Sequence, residues 1–318
     1  MRRLVALVAL LSLSSAATVA QAQAPIKVRV ATISFSDPSA EPAYADQEGF
    51  FKREGLDAEV MSFRGSAAMM AAIAGGSLDI GYANPLSAAI AIKRGIPIVV
   101  LAPAQLYNAK SPSSFLVKAR GSSVRTGSDL NGKTVAVPSL GGELHLDTRL
   151  WVDQHGGDSK SVHFVEMPFP QMVPALKAGR IDAATITEPQ FTAEKANIEF
   201  IAGAYSSVAP EGLGGVFVAS KTWMKDNPDG ARRFVRALAE TARWANTHQD
   251  QTAKILAERG KIDPSLVRSM SRSIYAETLN PAWVAPMLAA ASKYGVMKEP
   301  MSAEELFSDA LPLWQNVK

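Results

Sequence analysis

Apolar residues recur along the chain in two alternating rhythms, short strand-like runs and longer stretches at helical spacing. Ile26 to Ile33 alternates and then turns apolar, which predicts a strand, and Ser34-Phe35-Ser36-Asp37-Pro38 ends it. Pro42 to Lys52 reads as a helix closed by Glu54-Gly55, and Leu56 to Phe63 as the next strand. Ser66 is the natural N-cap of a helix over Ala67 to Ala74; strand Leu78 to Ala83, helix Leu86 to Lys93 and strand Ile96 to Leu101 follow. Pro103 to Ser114, rich in Pro, Asn and Ser, breaks the rhythm. After a short strand at Phe115-Leu116-Val117 a second series begins: strand Thr134 to Val137, helix Glu143 to Gln154, strand Val162 to Val165, helix Gln171 to Ala178, and strands Ile181 to Ile186 and Ile198 to Ile201. Apolar strands alternating with helices predict an α/β fold with mainly parallel sheets covered on both faces. A second break at Gly212 to Ser220 precedes an almost purely helical pattern, in which Trp244, Tyr275, Trp283 and Trp314 read as core anchors.

The two series share a repeat. Ala72-Ile73-Ala74-Gly75-Gly76-Ser77-Leu78-Asp79 returns as Ala175-Leu176-Lys177-Ala178-Gly179-Arg180-Ile181-Asp182, each copy behind a helix and ahead of a strand. A glycine just past a helix supports a left-handed turn, so one helix-to-strand unit is used twice. Each following strand runs into a polar residue and a proline, Asn84-Pro85 and Glu188-Pro189. The repeat reads as scaffold, with the two tips predicted to face each other across one cleft.

Ligands of open α/β sheets sit outside the carboxyl ends of the parallel strands. The residues there are Ser34 and Phe35, Arg64-Gly65-Ser66, and Asn84 in the first series; Ser139 to Gly142, Met167 to Pro170, and Thr187-Glu188-Pro189 in the second. Gly65-Ser66 and Ser139-Leu140-Gly141-Gly142 place glycine and a hydroxyl at helix N-termini, which suits an anion, although Ser66 serves equally as a plain cap. Glu188 has two readings, a holder of a ligand donor or the partner of a nearby base. Arg64 either adds charge to an anion site or is solvated, and Phe35 and Tyr107 either stack on a ligand or pack between lobes. Catalytic constellations are thin: His145, His155, His163 and His248 have no metal spacing, and Gly-x-Ser-x-Gly does not occur. No cofactor is expected.

Composition narrows the class. The chain has 318 residues, 47% of them apolar and 20% charged, enough for a large core and about two domains. A net charge of +3 without a Lys/Arg stripe argues against nucleic acid. Arg2 and Arg3, the apolar run Leu4 to Leu13 and the Ala20-Gln21-Ala22 pattern read as a secretory signal peptide cleaved after Ala22, too short to span a bilayer stably. The absence of cysteine removes disulfides, thiolate metal sites, Cys nucleophiles and a lipid-modified Cys.

Ala43-Tyr44-Ala45-Asp46-Gln47-Glu48-Gly49-Phe50-Phe51-Lys52-Arg53-Glu54-Gly55-Leu56, the repeated Gly-x-[Leu/Ile]-Asp, Asp129-Leu130-Asn131-Gly132-Lys133 and Glu188-Pro189 together resemble the nitrate/sulfonate/taurine class of periplasmic substrate-binding proteins of ABC importers, a class that includes binders of thiamine pyrimidine precursors. The likeness covers about residues 26 to 260. It implies a two-lobed type II binding fold, each lobe a mainly parallel sheet flanked by helices, with a helical C-terminal segment packed on the first lobe. The implied division is signal peptide 1–22, lobe 1 from 23–108 and 218–318, and lobe 2 from 109–217, with crossovers near Ala104 to Leu116 and Leu213 to Ala219. By position, the ligand contacts implied are Ser34, Gly65, Ser66, Asn84, Ser139, Gly141 and Glu188; Phe35, Arg64 and Thr187 join them from the strand-end argument. The resemblance implies a periplasmic monomer that closes on a small organic anion and serves an ABC permease and its ATPase. Relatives that process pyrimidine precursors or cleave sulfinates use cysteine, absent here, so a binder is expected rather than an enzyme; an exported enzyme on the same fold, or a module feeding a sensor, is the alternative.

Overall fold

The structure is a computed structural model that describes residues 24–33, 36–63, 66–315 and 317, without the side chains of Ser66 and Ala67. The expected signal peptide and the site candidates Ser34, Phe35, Arg64 and Gly65 lie outside the described residues.

The first series forms β1 (Ile26–Ile33), α1 (Glu41–Gln47), α2 (Phe50–Arg53), β2 (Leu56–Phe63), α3 (Ser66–Ala74), β3 (Ile80–Ala83), α4 (Pro85–Lys93) and β4 (Ile98–Pro103). The single helix expected over Pro42 to Lys52 is two, because Gly49 takes a left-handed φ of 75° between α1 and α2. The chain crosses through β5 (Gln105–Asn108) into β6 (Ser114–Ala119) and the second series: β7 (Thr134–Val137), α5 (Glu143–Gln154), β8 (His163–Glu166), α6 (Phe169–Lys177), β9 (Ala183–Thr187), α7 (Gln190–Ala193) and β10 (Ile198–Gly203). It returns by β11 (Glu211–Leu213) and β12 (Val216–Ser220). The rest is α8 (Lys221–Asp226), α9 (Pro228–Thr247), α10 (Gln249–Gly260), α11 (Pro264–Ser269), β13 (Ile274–Tyr275), α12 (Ala285–Lys293), α13 (Ala303–Leu306) and α14 (Leu311–Trp314).

Two five-stranded sheets result, in the orders β2-β1-β3-β12-β4 and β8-β7-β9-β6-β10. Their architecture is the same. In each, the first three strands are parallel, and the strand that has just crossed from the other series, β12 or β6, runs antiparallel to its neighbours. A third, three-stranded sheet, β11-β5-β13, links the crossings. Alternation along β12 separates two cores: Val216 and Val218 face α3, α4 and α12, while Phe217 and Ala219 face α9. Phe234 of α9 stacks on Phe51 at 5.7 Å, so the C-terminal helices pack on the first sheet. Leu146 and Leu150 of α5 join the same apolar cluster as Leu86 and Ala89 of α4, which presses the two halves together.

The repeat has one job in both halves. Gly76 and Gly179 take left-handed φ values of 71° and 65° at the end of α3 and α6. The aspartate three residues on then accepts the backbone N–H of the adjacent parallel strand: Asp79 from Arg29 at 2.8 Å, Asp182 from Thr134 at 2.9 Å. Asp79 also pairs with the Arg29 guanidinium at 2.6 Å. Replacing Asp182 with Ala strands the Thr134 N–H, and a loss of about 1–3 kcal/mol is expected, read as a lowered urea midpoint at unchanged m-value.

Candidate functional site

The carboxyl ends of β1, β3, β7 and β9 converge where the halves meet, and several predicted residues turn out to be occupied by their own backbone. Asn84 leaves β3 in extended conformation and caps α4, its Oδ1 accepting the Ser87 N–H at 2.7 Å. Glu188, at a cis Glu188–Pro189 bond, accepts from the Thr192 amide at 3.1 Å and hydroxyl at 2.9 Å. It also takes the Ser271 N–H at 3.3 Å, tying the second half to the C-terminal segment. Burial raises its pKa, Thr192 and Ser271 pull the other way, and the Asp37 charge adds to the rise. Thr187 is half-buried in β9 opposite Ser114. Ser66 begins α3.

In the loop after β7, expected to offer free amides to an anion, three amides have partners within the chain. Leu140 N–H donates to Glu166 at 3.1 Å, Gly141 N–H to His145 Nδ1 at 2.9 Å, and Gly142 N–H to the Ser139 carbonyl at 3.2 Å. Three amides that face an anion in the sequence reading are therefore spoken for, and Ser139 itself is exposed. His145 accepts through Nδ1, which fits a neutral ring; burial and the Arg149 charge push its pKa down to about 4.

Deeper in, the interface is acidic. Glu41, the first residue of α1, is 1% exposed, and neither of its oxygens has a hydrogen-bond partner among the described residues. Glu143, the first residue of α5, is 4% exposed and equally unpartnered, although the Tyr205 hydroxyl and the Leu86 amide of α4 are oriented toward it. Burial pushes Glu143 up to about 8, with Tyr205 and Leu86 opposing and Asp147 adding to the rise. Asp147, one turn on, rises to about 7 through burial, against the amides of Tyr205, Ser207 and Val208. Tyr82, buried and donating to the Gly214 carbonyl at 3.3 Å, senses both Glu143 and Glu41. Glu143 also lines a cavity of about 20 Å³ with Tyr107 and Tyr205, and the buried Tyr107 hydroxyl has no partner either. Tyr107 tilts against Tyr205 at 5.2 Å, so it both packs at the crossing and faces this space.

One buried charge is fully matched. Asp37, 2% exposed, accepts from Arg272 Nη2 at 2.8 Å and Nε at 3.1 Å, from the Ser273 amide at 2.6 Å and from the Tyr44 hydroxyl at 3.3 Å. This locks the segment after β1 to the stretch between α11 and β13. Sequence reasoning missed Glu41, Glu143, Asp147 and the Asp37–Arg272 pair. Helix-start positions after β1 and β7 were the available signal, but charge alone gives no hint of burial. Among the described residues, no group of His, Asp and Glu is arranged to hold a metal ion.

The family model described as NMT1/THI5 like matches residues 39–252. The chain belongs to this family. A Bacillus subtilis chain named as a binding protein, YtlA, is 26% identical over 248 residues, 76% of this chain and 74% of that one. Among solved structures, a ligand-binding component of an ABC-type import system from Staphylococcus aureus, with zinc bound, superposes with a TM-score of 0.78 at 14% identity, covering 92% of this chain and 99% of the other. The periplasmic nitrate-binding protein NrtA from Synechocystis PCC 6803 gives 0.77 at 16% identity, covering 92% and 88%. The fold of this NMT1/THI5-like chain is thus that of periplasmic binding proteins, and its two like-ordered sheets are their two halves.

Proposed function

We infer that this NMT1/THI5-like chain is the solute-binding component of an ABC import system, exported to the periplasm, where it closes on a small molecule and presents the closed form to a membrane permease with its ATPase. The observation that carries this reading is the junction of two like-ordered sheets through β5 and β11, with strand ends and buried polar groups gathered between them. Residues 23–108 and 218–318 form the first lobe and 109–217 the second, and the chain acts as a monomer. Asn84, Ser139, Gly141, Thr187 and Glu188 are taken as the ligand-binding residues, and the sequence adds Ser34, Phe35, Arg64, Gly65 and Ser66 to them. Closure of such a hinge makes one enclosed site from two halves, so the liganded population is the closed one. The chain works as a binder, without chemistry of its own.

The test is recovery of the molecule itself. Protein exported with its own N-terminus, purified without unfolding and then denatured in acid, is expected to release one small molecule per chain by mass spectrometry, and to rebind it unchanged. Conversion of that molecule on rebinding points to an exported enzyme instead, and the absence of any released or rebinding molecule sinks the reading. The intact mass of the same sample reads the expected cleavage after Ala22.

A further inference from the structure

We propose that the meeting point of the two sheets receives the positively charged nitrogen of a small organic cation, with Glu41 and Glu143 as its counter-charges. This rests on the solute-binding reading and names the ligand class for it. The two glutamates occupy one topological position used twice. β1 and β7 are the equivalent strands of the like-ordered sheets, and Glu41 and Glu143 are the first residues of the helices that follow them. Both lie at the strand ends where ligands of this architecture bind.

Among the described residues no base answers either carboxylate, and Glu143 has only the Tyr205 hydroxyl and the Leu86 amide oriented toward it. A buried carboxylate is ordinarily matched by a base or several N–H donors, because burying it alone is strongly unfavourable. Asp37 has that match in Arg272, whereas none of the ion pairs among the described residues involves Glu41 or Glu143. Among the described residues neither carboxylate makes a hydrogen bond of full geometry. Asp147 adds further negative charge beside Glu143. Tyr82 lies within the influence of both glutamates, and Tyr205 and Tyr107 line the cavity at Glu143. Buried acidic groups beside tyrosine hydroxyls suit an alkylammonium or guanidinium group, which brings both positive charge and N–H donors. An anion finds the opposite field here, and the amides of the loop after β7 are already engaged. Burial alone favours the protonated form of both carboxyls, and a cation entering beside them supplies the counter-charge with which they ionise.

The test compares the wild type with Glu41→Gln and Glu143→Gln in thermal-shift and calorimetric titrations. Ethylammonium, putrescine and agmatine serve as cationic probes, with ethanesulfonate, nitrate and acetate at matched ionic strength as anionic ones. Cationic probes are expected to raise the melting temperature, with affinity at least about tenfold weaker in either variant. Without probe at about pH 8, each variant is expected to melt about 2–4 °C above the wild type, since the amide removes a charge that folding buries. Melting below the wild type marks the carboxylate as a structural partner and overturns the proposal. So does binding of anionic probes alone, or of no cationic probe. A neutral or anionic molecule released from the exported protein overturns the cation while leaving the solute-binding reading intact.

Discussion

As the pH rises from about 5 to about 8, the unliganded protein is expected to lose stability, and Glu143→Gln to lose less of it. Glu143 is held near 8 and Asp147 near 7 in the folded chain, both above the ordinary carboxyl range. Between the unfolded and folded values the native state holds protons that the unfolded chain has released. Stability from these groups is therefore fully present below the unfolded pKa and drains away as the pH climbs to the folded one. Each group contributes a slope of up to about 1.4 kcal/mol per pH unit inside its window. Tyr205, Tyr82, Asp147 and the Leu86 amide face Glu143, and none supplies a positive side chain. Urea midpoints of wild type and variant across this range give the comparison. Parallel curves would mean that Glu143 ionises in the folded state as it does in the unfolded chain.

The second large effect lies at Asp37. Arg272→Ala is expected to destabilise the protein by about 3–5 kcal/mol at neutral pH, because it leaves a carboxylate at 2% exposure without its cation. Asp37→Ala leaves the converse, a guanidinium without its acceptor, and removes the partner of the Ser273 amide as well. The double variant is expected to be less destabilised than the sum of the singles, since each single leaves one charge stranded. Chemical denaturation of the three proteins decides it, and additive losses would count against a coupled pair.

The alternation of strands and helices was legible because a period of two and a period near 3.6 leave different marks on a sequence. Strand Leu56 to Phe63 and helix Glu143 to Gln154 have the bounds the pattern predicts. Splitting of the first helix was not, since Gly49 within a helix-like stretch reads as a tolerated residue until its φ is known. The repeat was legible as turn chemistry, and Asp79 and Asp182 fill the places that glycine and spacing indicate. For the site, strand-end logic named loops by position, and position alone does not say which of their amides stay free. Ser139 and Gly141 look like an anion cradle in sequence, but His145 and Glu166, four and twenty-odd residues away, take the amides. Glu41 and Glu143 look like ordinary acids at helix starts, and only the packing of the folded chain around them shows that they are buried.

Each sheet contains one strand that arrives by crossing, yet the two differ in when that strand is made. Every strand of the second sheet lies between Ser114 and Gly203, so it is complete once that stretch has emerged. The first sheet has a gap between β3 and β4 until β12 follows, after the entire second sheet. The sheet that is second in sequence is consequently the one that a growing chain can complete first, while the first sheet keeps a place for β12.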